Sequence, residues 1–474
     1  MDISVLSRVD SLSPLLFSRI QSGGLPTPEE QLNKAAQARP VPDRVEKPAP
    51  SERVRSYTTT LECVLRNLAK GAALGYGGRT AFSLLGLAMR HRAGPGHERT
   101  LAKALLSKEH AHWAAFLSAF LGLHNGLLRC QSPGLPPVLW DKYRNGAAGV
   151  VAGASLRLAP PYARPYLALL LSVRAAEVLG RSAAAAGQVP EWLQSHADVK
   201  LMMAASSVVM TCWIFEPELL EPMYLRFLNK QSGKDTRVLR AIAATFDGGL
   251  DSQPAVLAAL NAMRQELALP ALALPPTCGT PHCNVLHLPS QSCESHICTY
   301  AASGWLRAAS LYAPVHLLPL LLFRPSALMR KPIGVATETA LKVGRSALFL
   351  SSYCAAGFAT LCLCARTAQA VGTPPRRWHA ATMSCLCGLA LLFEKPGRRL
   401  ELALYTTLQA LRCWPFPTAK DEMRKHLSVP AFALACGVLS HHFARHPHAV
   451  RSSYRAILTR FLDTAGDNHR RLLS

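Results

Sequence analysis

Charge is scarce in this 474-residue chain. Asp, Glu, Lys and Arg together make up 17% of it, against about 25% in an ordinary soluble domain. Acid is scarcest, with 29 Asp+Glu against 52 Lys+Arg and a formal net charge of +23. Those values exclude an acidic disordered chain and disfavour a soluble basic nucleic-acid binder, which would carry more charge overall. The phosphate-cradling and nucleophile motifs are missing too. There is no Walker A loop, no GxGxxG opening a helix after a strand, no HExxH and no GxSxG, so neither enzymatic activity nor a cofactor is expected. Met1–Ile20 has no continuous apolar core, so no secretory signal is expected. Asp2 and Asp10 do not suit a mitochondrial presequence, and the C-terminal HRRLLS is not an SKL-type address.

Apolar residues make up 49% of the chain, the mean hydropathy is +0.13 and the sequence pI is about 9.8. Low charge with high basicity fits a helical membrane protein with cationic loops. The 14 cysteines are lopsided: three precede residue 213 and eleven lie between Cys278 and Cys436. Cys354, Cys362, Cys364, Cys385, Cys387 and Cys436 fall inside apolar runs, where a thiol behaves as a small buried hydrophobe. They do not form a secreted disulfide framework.

Residues 20–56 are polar and proline-rich, and residues 1–56 as a whole read as a disordered N-terminal tail. From Tyr57 the texture becomes a series of apolar segments bracketed by Arg, Lys, Pro or Gly. In the first half they are Gly71–Met89, Trp113–Leu128, Gly146–Pro160, Tyr166–Gly180 and Leu201–Phe215. In the second half they are Tyr300–Phe323, Ser346–Cys364, Ala380–Phe393, Leu400–Trp414 and Val429–His441. Most approach the ~20 helical residues that a bilayer core requires without exceeding it. They are Ala/Gly/Leu-rich all round rather than striped.

The halves echo each other. Ala115–Gly122 (AFLSAFLG) aligns with Leu348–Ala355 (LFLSSYCA), and Arg144–Gly149 aligns with Arg377–Thr382 at the same offset. Leu167–Ala175 (LALLLSVRA) aligns with Leu402–Ala410 (LALYTTLQA) after a slight drift in that offset. The expected fold is therefore all-α: a polytopic membrane protein of two related bundles, each of four to five short Gly/Ala-rich helices. The repeats span 57–232 and 300–443. Between them, 233–299 reads as a linker with a Cys/His-rich loop, and 444–474 as a basic amphipathic C-terminal tail with apolar spacing at Ile457, Leu458, Phe461 and Leu462.

Three groups of residues carry the functional expectations. Gly71 and Gly75, Gly149 and Gly153, and Ser384 and Gly388 are small residues four apart, the spacing that lets helix backbones approach in lipid. Among ionisable residues within or beside apolar segments (Arg79, Arg157, Arg174, Glu177, Glu394 and Glu401), Arg174 and Glu177 stand three apart on one helix face. They can neutralise each other as a structural pair, or line a polar path. Cys278, Cys283, His287, Cys293 and Cys298 offer a candidate metal-binding loop. Without a CxxC knuckle, a cysteine-rich loop at the membrane surface or a redox-labile pair is the commoner outcome.

His287–Cys293 (HLPSQSC) followed by Leu311–Leu318 (LYAPVHLL) resembles the opening of the transmembrane protein 135 family, also called peroxisomal membrane protein 52. Arg144–Gly153 (RNGAAGVVAG), Gly187–Pro190, His196–Asp198, Phe215–Glu216 and Pro222-x-Tyr224 resemble the last spans of that family. The likeness covers roughly 57–230 and 278–445, with the unit resembling the family's C-terminal part coming first. The family is similar to the mitochondrial inner-membrane translocase channel-subunit superfamily. The resemblance implies a non-enzymatic multi-pass protein of the peroxisomal or mitochondrial membrane that supports organelle organisation and lipid handling. The alternative is a pore-forming or translocase-like subunit that moves polypeptide or metabolite. The expected partners are the lipid bilayer, anionic lipids, other organelle membrane proteins and a second copy in a homo-oligomer; no nucleic acid is expected.

Overall fold

The computed structural model describes residues 50–90, 107–129, 136–250, 252–272, 285, 292–323, 325–373, 375–413 and 420–462. Among these the secondary structure is helical throughout, with no strand. Three helices, over Ala197–Phe215, Pro332–Ala368 and His426–Arg445, are long and apolar enough to cross a membrane.

The chain forms two compact units. The first takes its described helices from Leu16–Pro190 and Pro417–Ser474, the second from Glu191–Phe416. In the first unit the helices are α1 (Pro50–Arg90), α2 (Lys108–Arg129), α3 (Pro137–Gly153, continued by a 3-10 segment Ala154–Leu158) and α4 (Arg164–Ala185). The second unit contains α5 (Ala197–Phe215), α6 (Pro222–Ser232), α7 (Thr236–Phe246), α8 (Pro254–Glu266), α9 (Cys293–Phe323), α10 (Pro332–Val371), α11 (Arg377–Met383, continued by a 3-10 segment Ser384–Phe393) and α12 (Pro396–Cys413). The chain then returns to the first unit with α13 (Lys420–Arg445) and α14 (Ser452–Phe461).

Several expectations change. The helices are not all short: α1 and α10 have 41 and 40 residues, ~60 Å at 1.5 Å per residue. Their polar flanks contain no interior proline to stop them, so the helix outruns its apolar stretch. Residues 50–56, assigned above to the tail, are already helical, while residues 1–49 lie outside the described residues. The stretch read as a linker folds into α7 and α8. Val238, Leu239, Ala241 and Ile242 of α7 and Leu260 of α8 join the core of the second unit. Of the predicted C-terminal tail, Ser452–Phe461 is a helix, Tyr454 and Leu458 pack on Val178, Phe443 and Val450, and 463–474 lie outside the described residues.

The last apolar segment of each half packs away from the four that precede it in sequence. Leu201–Phe215 lies in α5, against α12 and the Ser384–Phe393 segment. Val429–His441 lies in α13, against α3 and α4. Small residues explain the fit. A Cβ at Gly388 would collide with the Met203 backbone, and one at Gly153 with the Ala433 backbone.

Matching details recur inside the two units. Arg164 Nε donates to the Ala159 carbonyl at 2.9 Å and Arg164 Nη2 to the Arg157 carbonyl at 2.7 Å. Arg399, the counterpart of Arg164 in the Leu167–Ala175 and Leu402–Ala410 alignment, does the same to the Glu394 carbonyl at 2.9 Å and the Leu392 carbonyl at 2.8 Å. Each arginine satisfies carbonyls left open where a 3-10 segment ends. Gly71 of α1 lies against Ser118 of α2, and Gly304 of α9 against Ser351 of α10. Both members of the second pair follow those of the first by the offset that relates Ala115–Gly122 to Leu348–Ala355.

Candidate functional site

The glycines among the small-residue positions sit at helix crossings. A Cβ on Gly71 would strike the backbone of Leu117 and Ser118, and one on Gly75 that of Trp113 and Ala114. Together they form the α1–α2 seam. Gly149 and Gly153 bring α3 onto Cys436 and Ala433 of α13. Gly388 seats Met203 of α5. Ser384 is fully buried, and its hydroxyl donates back to the Ala380 carbonyl at 2.6 Å. By contrast, Gly77 and Gly78 have open space where a Cβ would stand. Close approach also occurs at Gly437, where a Cβ would meet Val150 and the Gly146 carbonyl, a position the sequence pattern does not single out.

Arg174 and Glu177 meet as their spacing anticipates, with Nη1 to Oε2 at 3.1 Å. The Glu177 side chain is 4% exposed, so its charge depends on partners. Two further partners join it. Arg451, at the start of α14, brings Nε to 2.8 Å from Glu177 Oε1. Arg181, one turn along α4, reaches the same oxygen at 3.7 Å. The Arg174 guanidinium lies over the Tyr454 ring, 5.0 Å from its centroid. The arrangement ties α14 to α4.

A second buried charge centres on Glu394, which the sequence placed only at a segment edge. Ser346 Oγ donates to Glu394 Oε1 at 2.7 Å, and Arg398 donates to Ser346 Oγ at 2.9 Å while standing 3.4 Å from the carboxylate. Arg79 of α1 pairs with Glu109 of α2. Arg157, by contrast, gives its backbone carbonyl to Arg164.

Other polar contacts lie among α5–α8 and around them. Arg377 clamps Asp247 through Nε and Nη2 at 2.6 and 2.7 Å, and reaches Glu216 with Nη1 at 2.7 Å. Arg237 bridges Asp235 and Glu266, and its hydrogen bonds hold both carboxyls below their usual range. Lys234 Nζ lies 3.3 Å from His296 Nε2, and burial followed by the nearby Arg307 charge lowers its pKa.

Of the Cys/His loop, Cys278, Cys283 and His287 lie outside the described residues. Cys293 and Cys298 sit at the start of α9, with Cys298 exposed. Among the described residues no three His, Cys, Asp or Glu side chains are grouped to hold a metal ion.

With that geometry in hand, comparison with family models, curated proteins and solved structures returns no match.

Proposed function

We propose that the chain is a polytopic membrane protein of two related helical bundles. It serves as a non-enzymatic component of a peroxisomal or mitochondrial membrane, supporting organelle organisation and lipid handling. The reading is supported by the distribution of polarity. In the first unit Asn67, His110, His124 and Asn125 are inside, and in the second Ser346, Glu394 and Gln409. The outer helix faces carry Leu65, Leu74, Val150, Val151 and Leu434 in the first unit, and Leu306, Leu341, Leu386 and Leu389 in the second. In water this arrangement would forfeit apolar burial at the surface and desolvate polar groups inside. In hydrocarbon the outer leucines cost nothing, and interior polar groups such as Ser346 with Glu394 and His124 with Asn125 and Ser440 bond one another.

Relatedness of the bundles is supported by the paired details at Arg164/Arg399 and Gly71/Gly304, and by α13 and α5 occupying corresponding places in the two units. The organelle and the link to lipid rest on the resemblance to the transmembrane protein 135 family, which covers most of the helical chain. Sodium carbonate extraction of cells expressing the full chain tests the membrane reading. Retention in the pellet is the expected result, and release into the supernatant overturns it. Imaging a tagged copy against peroxisomal and mitochondrial markers tests the organelle; a plasma-membrane or secretory pattern removes that part of the reading.

A further inference from the structure

In the first unit, the C-terminal end of α13 meets the N-terminal end of α3 and gathers four imidazoles. His442 lies in the last turn of α13 with His441 just before it, and His446 and His448 just follow the helix. Ring centroids are 5.5 Å apart for His441–His442, 5.6 Å for His442–His446 and 5.9 Å for His446–His448. Tyr143 of α3 stacks on His441 at 6.3 Å. His442 Nδ1 is 2.9 Å from the Val438 carbonyl. A carbonyl only accepts, so Nδ1 carries the hydrogen and Nε2 remains available for protonation.

The surroundings are cationic. Lys142 stands beside Tyr143, and Arg445 donates to the Asp141 carbonyl at 2.6 Å. Among the described residues, Asp141 is a carboxylate at this end of α3, with Arg144 3.6 Å away. Across α13, Phe443 packs on Val178 of α4, where Arg174, Arg181 and Arg451 surround Glu177. Toward the interior, His124 of α2 is buried against Ser440 at 3.2 Å. Val138, Leu139 and Tyr143 are exposed on the same end of α3, so apolar surface adjoins the imidazoles.

Protonated imidazoles here stand beside Lys142 and Arg445 and repel them and one another, and a bound anion relieves that repulsion. An anion with an adjoining acyl chain also covers Val138 and Leu139. We propose that this histidine patch is a binding site for the headgroup of an acidic phospholipid of the surrounding bilayer, strengthened as the histidines protonate. The proposal rests on the membrane reading above.

The test uses the purified full chain in neutral detergent, titrated with short-chain phosphatidylserine, phosphatidylcholine and inorganic phosphate at pH 7.5 and 5.5. Phosphatidylserine affinity is expected to rise at least about tenfold at the lower pH, with phosphatidylcholine indifferent. His441→Asn, His442→Asn, His446→Asn and His448→Asn combined should abolish the rise. The pair His446→Asn and His448→Asn, beyond the helix end, should reduce it and serves if the fourfold variant does not fold. Equal affinity at the two pH values overturns the proposal. So does a rise that persists in the variants, or inorganic phosphate binding as tightly as the lipid. Carbonate extraction separates the two ideas. A chain released by carbonate that still shows the pH-dependent rise loses the membrane reading and keeps the patch. A pelleted chain without the rise loses the patch alone.

Discussion

Arg451 holds the carboxylate of Glu177 at 2.8 Å, anchoring the start of α14 on α4. Arg174 and Arg181 attend the same carboxylate from its own helix, so Glu177 is the hub and the three arginines are its spokes. Removing the hub leaves several partly buried guanidiniums facing one another.

Glu177→Ala is accordingly expected to destabilise the first unit by about 2–3 kcal/mol. That is below the ~3–5 kcal/mol of a fully buried pair, because the arginines retain some water contact. The measurement is thermal melting in micelles with limited proteolysis. New cleavage between residues 446 and 462 should precede loss of helix. A variant that melts like wild type, with α14 still protected, would contradict the role given to Glu177.

The glycines of α1 should separate cleanly by position. Gly75→Ala drives a methyl into the Trp113 backbone and should cost roughly 1–3 kcal/mol through overpacking. Gly77→Ala and Gly78→Ala meet nothing within 4 Å and should each stabilise the helix, by up to about 1 kcal/mol. Melting temperatures of the three single variants decide the matter, and the same sign for all three would refute the α1–α2 seam.

Acid should loosen α7 and α8 through the Asp235–Arg237–Glu266 clamp. Both carboxyl pKa values are lowered in the folded chain, first of all by hydrogen bonds from the Arg237 side chain. Stability from a depressed carboxyl is fully present above its unfolded value, near pH 4. It is lost as pH falls through the folded value. Wild type should hold its melting temperature from pH 7 to about pH 4.5 and then decline. Arg237→Gln should begin lower and decline less steeply, and parallel profiles would count against the clamp.

Thiol chemistry should follow exposure. Cys298 is exposed, whereas Cys387 and Cys413 are buried in the second unit. Brief treatment of the native chain with N-ethylmaleimide, read by peptide mass spectrometry, should label Cys298 and spare the other two until the chain is denatured. Early labelling of Cys387 would mean that the packing around the Ser384–Phe393 segment is looser than described.

Short-range relations were legible because local geometry fixes them. A helix turn is 3.6 residues, so Arg174 and Glu177 had to share a face, and Gly71 with Gly75, or Gly149 with Gly153, had to line one stripe. Helicity likewise followed from the series of Ala/Gly/Leu-rich apolar segments, and the basic, acid-poor character from composition.

What only the tertiary structure decided was the choice of distant partners. The sequence grouped Leu201–Phe215 and Val429–His441 with the segments just before them, yet α5 lies on the Ser384–Phe393 segment and α13 on α3. Nothing local distinguishes these pairings, because many Ala/Gly/Leu faces in this chain are compatible with one another. Selection comes from shape, such as Ala433 filling the space above Gly153 and Met203 that above Gly388. The same holds for Arg451, which is separated from Glu177 in sequence by the whole of the second unit. A lone basic residue near a chain end carries no mark of the buried carboxylate it will neutralise. Periodicity therefore specified which faces are available, and close packing over long sequence separations specified which of them meet.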